Sequence, residues 1–225
     1  MNVKPITLVV VGKDDAATVA WFQRQDSLAT REYAHVVLVQ NQPPCSLSEM
    51  GNRYLNQYME VYRSQVFAMI HADTYFDGWA RCDHHGLPVD DAVKPDLQIL
   101  YECAMRGNVC GIVGADMSPQ RWWWGHQVRR TTARVAIRLV STLDSCAVFF
   151  RRDLGLRFDE TFAGFHCHVE DLCLQAHQRG IPVLVPAVRA THVGESTGKP
   201  EWQAEYARWR KVLAEKWEGT EFVTT

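Results

Sequence analysis

The sequence predicts an α/β fold, a mostly parallel sheet with helices on both faces. Three observations carry that expectation. Ile6-Thr7-Leu8-Val9-Val10-Val11 is an unbroken apolar, largely β-branched run closed by Gly12, the mark of a strand buried on both faces. Two further runs, His35–Gln40 and Gln65–Ile70, come after it with helical spacing in between. A β-α-β-α-β order packs as a doubly wound sheet with short right-handed crossovers.

Taken in order, Asp14 and Asp15 precede Ala16–Phe22, whose spacing suits a short helix. The second run stops at Asn41-Gln42-Pro43-Pro44. Ser46-Leu47-Ser48-Glu49 has the S-x-x-E form of a capping box, so a helix is expected to about Tyr62. The third run delivers His71-Ala72-Asp73 at its C-terminal end. Pro95 suits the first turn of a helix that Gly107 would end, and Val109–Val113 is a fourth short strand. Met117–Thr132 differs in kind. It is polar and basic, carries Trp122-Trp123-Trp124, and reads as a loop or lid leaving the sheet. Val135–Val140 and Cys146–Phe150 are expected to return as strands. Glu170–Arg179 reads as a helix, Pro182–Val188 as a strand and Glu201–Trp217 as a closing amphipathic helix.

At 225 residues the chain suits a single domain. A net charge of −2 with both signs interspersed gives no basic footprint for nucleic acid or an anionic membrane. Ile6–Val11 is too short for a signal or membrane-spanning segment, so a cytoplasmic location is expected. The seven cysteines are odd in number and none forms a C-x-x-C pair. They are expected to be reduced and mostly buried, without a disulfide framework or structural zinc.

Three constellations could carry chemistry. His71 and Asp73 stand after a buried strand at the end where open α/β sheets bind ligands, and hard oxygen there suits Mg²⁺ or Mn²⁺. The alternative is that Asp73 only caps the segment Thr74–Ala80. Further on, Asp144, then Gly164-Phe165-His166-Cys167-His168 and Glu170-Asp171, cluster histidine and acid where a general base could arise. Glu170 and Asp171 could equally serve only to favour a helix N-terminus. Last, Thr191-His192-Val193-Gly194 comes directly after a strand, and His192 could complete a metal shell. The three adjacent indoles cannot all be buried on one face. They suit stacking on a sugar or base, with Arg121, Arg129 and Arg130 near for phosphate, or a contact in a homo-oligomer.

The order of these elements resembles family 2 glycosyltransferases of the GT-A fold, most closely the streptomycin-biosynthesis-type branch. Ser46-Leu47-Ser48-Glu49-Met50-Gly51-Asn52 is similar to that branch's S-L-x-x-x-Y-N element, with Gly51 in place of tyrosine. Phe67–Asp73 resembles its strand ending in H-x-D. Gly111-Ile112-Val113-Gly114 with Trp122-Trp123-Trp124-Gly125 resembles its G-V-V-G and tryptophan-rich stretch. Val140–Ser145 resembles V-x-x-L-D-G, Phe158–His166 resembles F-D-E-x-F-x-G-F-H, and Asp171–Ala176 resembles D-L-C-L-x-A. Two positions depart: Ser145 replaces the glycine of L-D-G, and Val169 stands where the branch has the first acid of a D-x-D pair.

The resemblance implies a GT-A-like, mixed but mostly parallel sheet. It further implies a metal-dependent, inverting transferase (hexosyltransferase type) that moves a sugar from a nucleotide donor, UDP-sugar favoured, to a carbohydrate-type or small-molecule acceptor. Residues 1–115 would form the nucleotide-binding half, 116–134 the Trp/Arg-rich excursion, and 135–225 the acceptor-side half with the closing helix. Asp73 and His192 would hold Mn²⁺ or Mg²⁺. Asp14, Asn52, His71, Asp144 and Trp123 would contact the donor. Glu170 or Asp171 would be the base, with His168 in reserve. Two other readings remain: a catalytically impaired nucleotide-sugar or glycan binder, and, more distantly, a sugar-1-phosphate nucleotidyltransferase.

Overall fold

The computed structural model describes residues 4–12, 14–23, 34–40, 46–76, 96–115, 122–124, 137–186, 188, 190–192, 200–222 and 224. Its main sheet has seven strands. In chain order these are β1 (Ile6–Gly12), β2 (Ala34–Gln40), β3 (Val66–His71), β5 (Val109–Gly111), β8 (Arg138–Leu139), β10 (Ala147–Arg151) and β11 (Val183–Val185). The spatial order is β2-β1-β3-β10-β5-β11-β8. β2, β1 and β3 pair in parallel, and β5 pairs with β11 in parallel. β10 runs antiparallel to both β3 and β5, so β5 and β11 point the same way as β3. Five of the seven strands therefore share one direction, and the sheet is mixed and mostly parallel as expected.

Alternation along the central strands explains the unbroken apolar runs. Ile6, Leu8 and Val10 of β1 join one buried cluster, while Val9 and Val11 join the other. In β3, Val66, Ala68 and Ile70 go to the first cluster and Phe67 and Met69 to the second. α1 (Asp15–Gln23) and α3 (Asp96–Met105) cover the first face, through Trp21, Leu97 and Leu100. α2 (Leu47–Tyr62) and α4 (His168–Gln178) cover the second, through Leu47, Leu55, Val169 and Leu172. α5 (Pro200–Lys216) packs outside α4, where Trp209 and Leu213 meet Phe162, Cys167 and Leu174.

The α2 start is the expected capping box: Ser46 Oγ accepts the Glu49 N–H (3.1 Å) and Glu49 Oε2 accepts the Ser46 N–H (2.8 Å). Gly107, at φ +86°, closes α3 as anticipated.

Two expectations need correction. The run Val109–Val113 is not one strand: the chain breaks at Ile112, and β6 (Val113–Ala115) enters a separate three-stranded sheet. There β6 pairs with β7 (Trp122–Trp124) and β9 (Thr142–Leu143). The tryptophans are thus a paired strand within what was read as a loop. A second small sheet joins β4 (Thr74–Phe76) to β12 (Ala190–His192). The rest of the Trp/Arg-rich segment, with Arg121, Arg129 and Arg130, lies outside the described residues, as do Cys45, Cys82, Pro95 and Gly194–Gly198. The five described cysteines are free and buried. No helix among the described residues is long and apolar enough to cross a membrane.

Candidate metal and donor site

The site assembles at the carboxyl end of β3. His71 ends the strand, and Ala72-Asp73 turn into β4. The Ala72 N–H donates to Val11 O (2.8 Å), and the His71 N–H (3.0 Å) and Thr74 Oγ1 (3.2 Å) both donate to Cys146 O. Trp21 Nε1 donates to Thr74 O (2.9 Å), tying α1 to the same turn. Asp73 therefore stands on a turn held between β1 and β10. The chain continues from Asp73 as a strand, so there is no helix at Thr74 for it to cap, and the capping alternative falls away.

The β4–β12 register places His192 opposite Thr74. The late histidine thereby lands beside Asp73, its Nε2 3.4 Å from Oδ1. The His71 and His192 rings are 5.8 Å apart. One ligand atom each from His71, Asp73 and His192 falls within 4.8 Å of the others, and Asp144, Cys146 and His192 form an overlapping group of the same span.

Charge states result from burial and from these neighbours. Burial, reinforced by His192 and opposed by Asp144 and Asp73, drives His71 down to about 4, so its ring is neutral at neutral pH. Its buried Nε2 has no hydrogen-bond partner among the described residues. Burial alone would raise Asp73, yet the hydrogen bond and charge of His192, with the charge of His71, hold it below the ordinary carboxylate value. Burial alone would lower His192, but Asp73 and then Asp144 hold it above the usual imidazole value. A neutral imidazole with an unused nitrogen beside an ionised carboxylate and a second imidazole is a donor set that fits a divalent cation.

Asp144 enters from the turn between β9 and β10. Its N–H donates to Val113 O (3.0 Å), and its Oδ1 accepts the Cys146 N–H (2.8 Å). The structure thus brings His71, Asp73, Asp144 and His192 together. Asp14 lies at the end of β1, and its Oδ1 accepts the Ala17 N–H (2.8 Å) in the first turn of α1. The Trp123 side chain lies outside what is described.

Two expected site residues are already engaged elsewhere, and a third is buried. Asn52 donates to Phe158 O (2.8 Å) and Glu160 Oε1 (2.9 Å) and accepts the Phe158 N–H (3.0 Å), so its amide clamps α2 to the Phe158 segment. Gly51 beside it explains the missing tyrosine: a Cβ there would sit 2.6 Å from the Phe158 ring. Asp171 is fully buried and bound by Lys216 Nζ (2.6 Å), Trp217 Nε1 (2.7 Å) and Gln175 Nε2 (2.8 Å). Glu170 is buried too, and its charge acts on Cys167, Cys173 and Tyr206. Val169 is a core residue with no exposure. His168 is fully buried, with neither ring nitrogen hydrogen-bonded among the described residues.

His166 belongs to the histidine and acid cluster read from the sequence, which gives it no role of its own. It lies in the turn before α4 and is reached by the charges of Asp144 and Glu205, while its neighbour Phe165 lies 4.9 Å from the His71 ring. Only the fold shows that this turn packs beside the His71 ring.

Neither a protein-family model nor a curated protein sequence matches the chain. Solved structures do. GalNAc-T7 with UDP, GalNAc and Mn²⁺ superposes with a TM-score of 0.55 at 11% identity, over 97% of this chain and 49% of that one. The chain spans about half the length of that protein. The catalytic domain of Drosophila β1,4-galactosyltransferase 7 in complex with xylobiose gives 0.52 at 10% identity, over 87% and 73%. A mutant of the same enzyme with manganese, UDP-Gal and xylobiose gives 0.50 at 9%, over 89% and 79%. The fold is that of GT-A-like glycosyltransferase domains. The narrower streptomycin-type branch finds no support in these likenesses.

Proposed function

We propose that this chain is a metal-dependent, inverting glycosyltransferase that moves a sugar (hexose type) from a nucleoside-diphosphate donor, UDP-sugar favoured, to a saccharide or small-molecule hydroxyl. The observation that carries the reading is the convergence of His71, Asp73 and His192 at the carboxyl end of β3 in a GT-A-like sheet. Asp73 and His192, with His71 as third donor, would hold the cation. The cation supplies positive charge that stabilises the leaving diphosphate. Two imidazoles beside one carboxylate favour Mn²⁺ over Mg²⁺, because Mg²⁺ prefers oxygen ligands. That neighbours of this fold were solved with Mn²⁺ and UDP or UDP-Gal supports the choice of ligand. We assign Asp144 to the donor sugar or acceptor, and Asp14 and Trp123 to the nucleotide side. Asn52 and Asp171 act through structure.

The test is UDP release from UDP-glucose, UDP-galactose and their N-acetylated counterparts, each with Mn²⁺ and a panel of saccharides. The expected result is Mn²⁺-dependent release from one donor, lost in Asp73→Asn at unchanged melting temperature. Release that ignores both Mn²⁺ and Asp73 would sink the proposal.

A second reading, a binder without turnover, is favoured by one specific observation: the α4 acids are buried and Asp171 is fully bound. Tight, metal-dependent UDP-sugar binding with no product from any acceptor would select it.

A further inference from the structure

Two of the buried cysteines meet each other and take no part in the metal and donor site. Cys103 lies in the last turn of α3, Cys110 lies at the centre of β5, and both belong to the same buried cluster. The chain turns back between them at Gly107, whose φ of +86° suits the reversal. Their thiols hydrogen-bond each other. Cys110 Sγ also donates to Leu100 O (3.4 Å), one turn back along α3, so its side chain is aimed at the helix. Asn108, in the turn, holds the arrangement from the other side: its Nδ2 donates to Cys103 O (2.8 Å) and to Cys103 Sγ (3.9 Å).

These contacts make the two thiols unlike. Hydrogen bonds from Cys110 and Asn108, with the charge of Arg106, hold Cys103 below the ordinary thiol value against its burial. Burial, then the neighbouring Cys103, pushes Cys110 well up. Cys103 also keeps some surface, 6% against none for Cys110. A sulfur that carries charge and can be reached is the one that attacks, and a protonated sulfur in contact with it is placed to resolve the product. Burial pushes Cys146, Cys167 and Cys173 up, so none of these three shares the character of Cys103.

We propose that Cys103 and Cys110 form a reversible redox site, which hydrogen peroxide closes to a disulfide and a small thiol reopens. The site stands apart from the transferase reading and does not depend on it. In the first step the Cys103 thiolate attacks one peroxide oxygen. The S–O bond forms as the O–O bond breaks, and the departing hydroxide takes a proton from solvent and leaves as water. In the second step the Cys110 sulfur attacks the Cys103 sulfur of this sulfenic acid. The S–S bond forms, the S–O bond breaks, and hydroxide leaves with the Cys110 proton as a second water. The two thiols together lose two electrons, and one peroxide is reduced to two waters.

The test treats the reduced, folded chain with an equimolar amount of hydrogen peroxide. Remaining thiols are blocked with N-ethylmaleimide in denaturant, and tryptic peptides are mapped by mass spectrometry. Trypsin cleaves at Arg106, between the two cysteines, so the disulfide appears as a cross-linked peptide pair that fragmentation assigns. The expected result is a Cys103–Cys110 link, removed by dithiothreitol, that forms about tenfold or more faster than any oxidation of Cys146 or Cys173. In Cys110→Ser, dimedone should label Cys103 as the trapped sulfenic acid. In Cys103→Ser it should leave Cys110 unlabelled. Recovery of Cys103 and Cys110 as maleimide adducts in the wild type overturns the proposal. A link that forms equally fast in urea also overturns it, because the pairing would then reflect closeness in sequence and not the fold. The wild-type map needs no substitution, so it decides the matter even where a variant fails to fold.

Discussion

At the scale of single residues, Asp73 and His192 make each other what they are. Paired at 3.4 Å, each holds the other's charged form against burial. Replacing His192 by Gln should therefore leave the fold intact and weaken Mn²⁺ binding by about 10-fold or more, on the order of 1.4 kcal/mol, as read by titration calorimetry. Gly51 is a steric residue rather than a ligand. Gly51→Ala drives a methyl into the Phe158 ring at 2.6 Å, and overpacking of that kind costs about 1–3 kcal/mol in denaturant melts. His168 sets a pH response. Its ring is buried and driven down to about 3, first by burial and then by the charges of His71 and His166, against an ordinary value of 6.5. Between those two values the unfolded chain holds a proton that the folded chain does not. Stability must then fall on acidification through that window, by about 1.4 kcal/mol per pH unit for this one group. His168→Leu should flatten the slope of unfolding free energy against pH between about 6 and 4, and an unchanged slope would count against the neutral buried ring.

Among the elements, α2 and α5 show how far the sequence could be read. The box at Ser46 and Glu49 is local, spans four residues and appears as expected. Ser46→Ala should cost about 1 kcal/mol in chemical denaturation. At the other end of α2, Arg63 is exposed and sits at φ +54°, so Arg63→Gly should be stabilising by about 0.5–1 kcal/mol. The role of Asp171 was not legible in the same way. Its partners Lys216 and Trp217 lie more than forty positions along the chain, at the end of α5, and no spacing rule connects them. Lys216→Met should strip one donor from a buried carboxylate and cost about 2 kcal/mol, reduced from the fully buried case because Lys216 is a third exposed.

For the whole molecule, the legible part is what periodicity encodes. Continuous apolar runs at Ile6–Val11 and Phe67–Ile70 announced strands buried on both faces, and the two clusters divide their side chains by alternation. Strand direction is not encoded in that pattern, so the antiparallel β10 between β3 and β5 became visible only with the sheet assembled. The tryptophans read as a loop because three in a row show no alternation, and their pairing with β6 is non-local. His192 owes its place to the β4–β12 register, again a contact between distant segments. The sheet thus acts as the frame that gathers His71, Asp73, Asp144 and His192 from three places in the chain. That gathering is the central claim, and calorimetric titration of UDP with Mn²⁺ tests it most directly, on wild type and Asp73→Asn side by side. The account predicts saturable, Mn²⁺-dependent UDP binding to wild type and at least tenfold weaker binding to a folded Asp73→Asn. Equal affinity in the two proteins, or UDP binding indifferent to Mn²⁺, would contradict it.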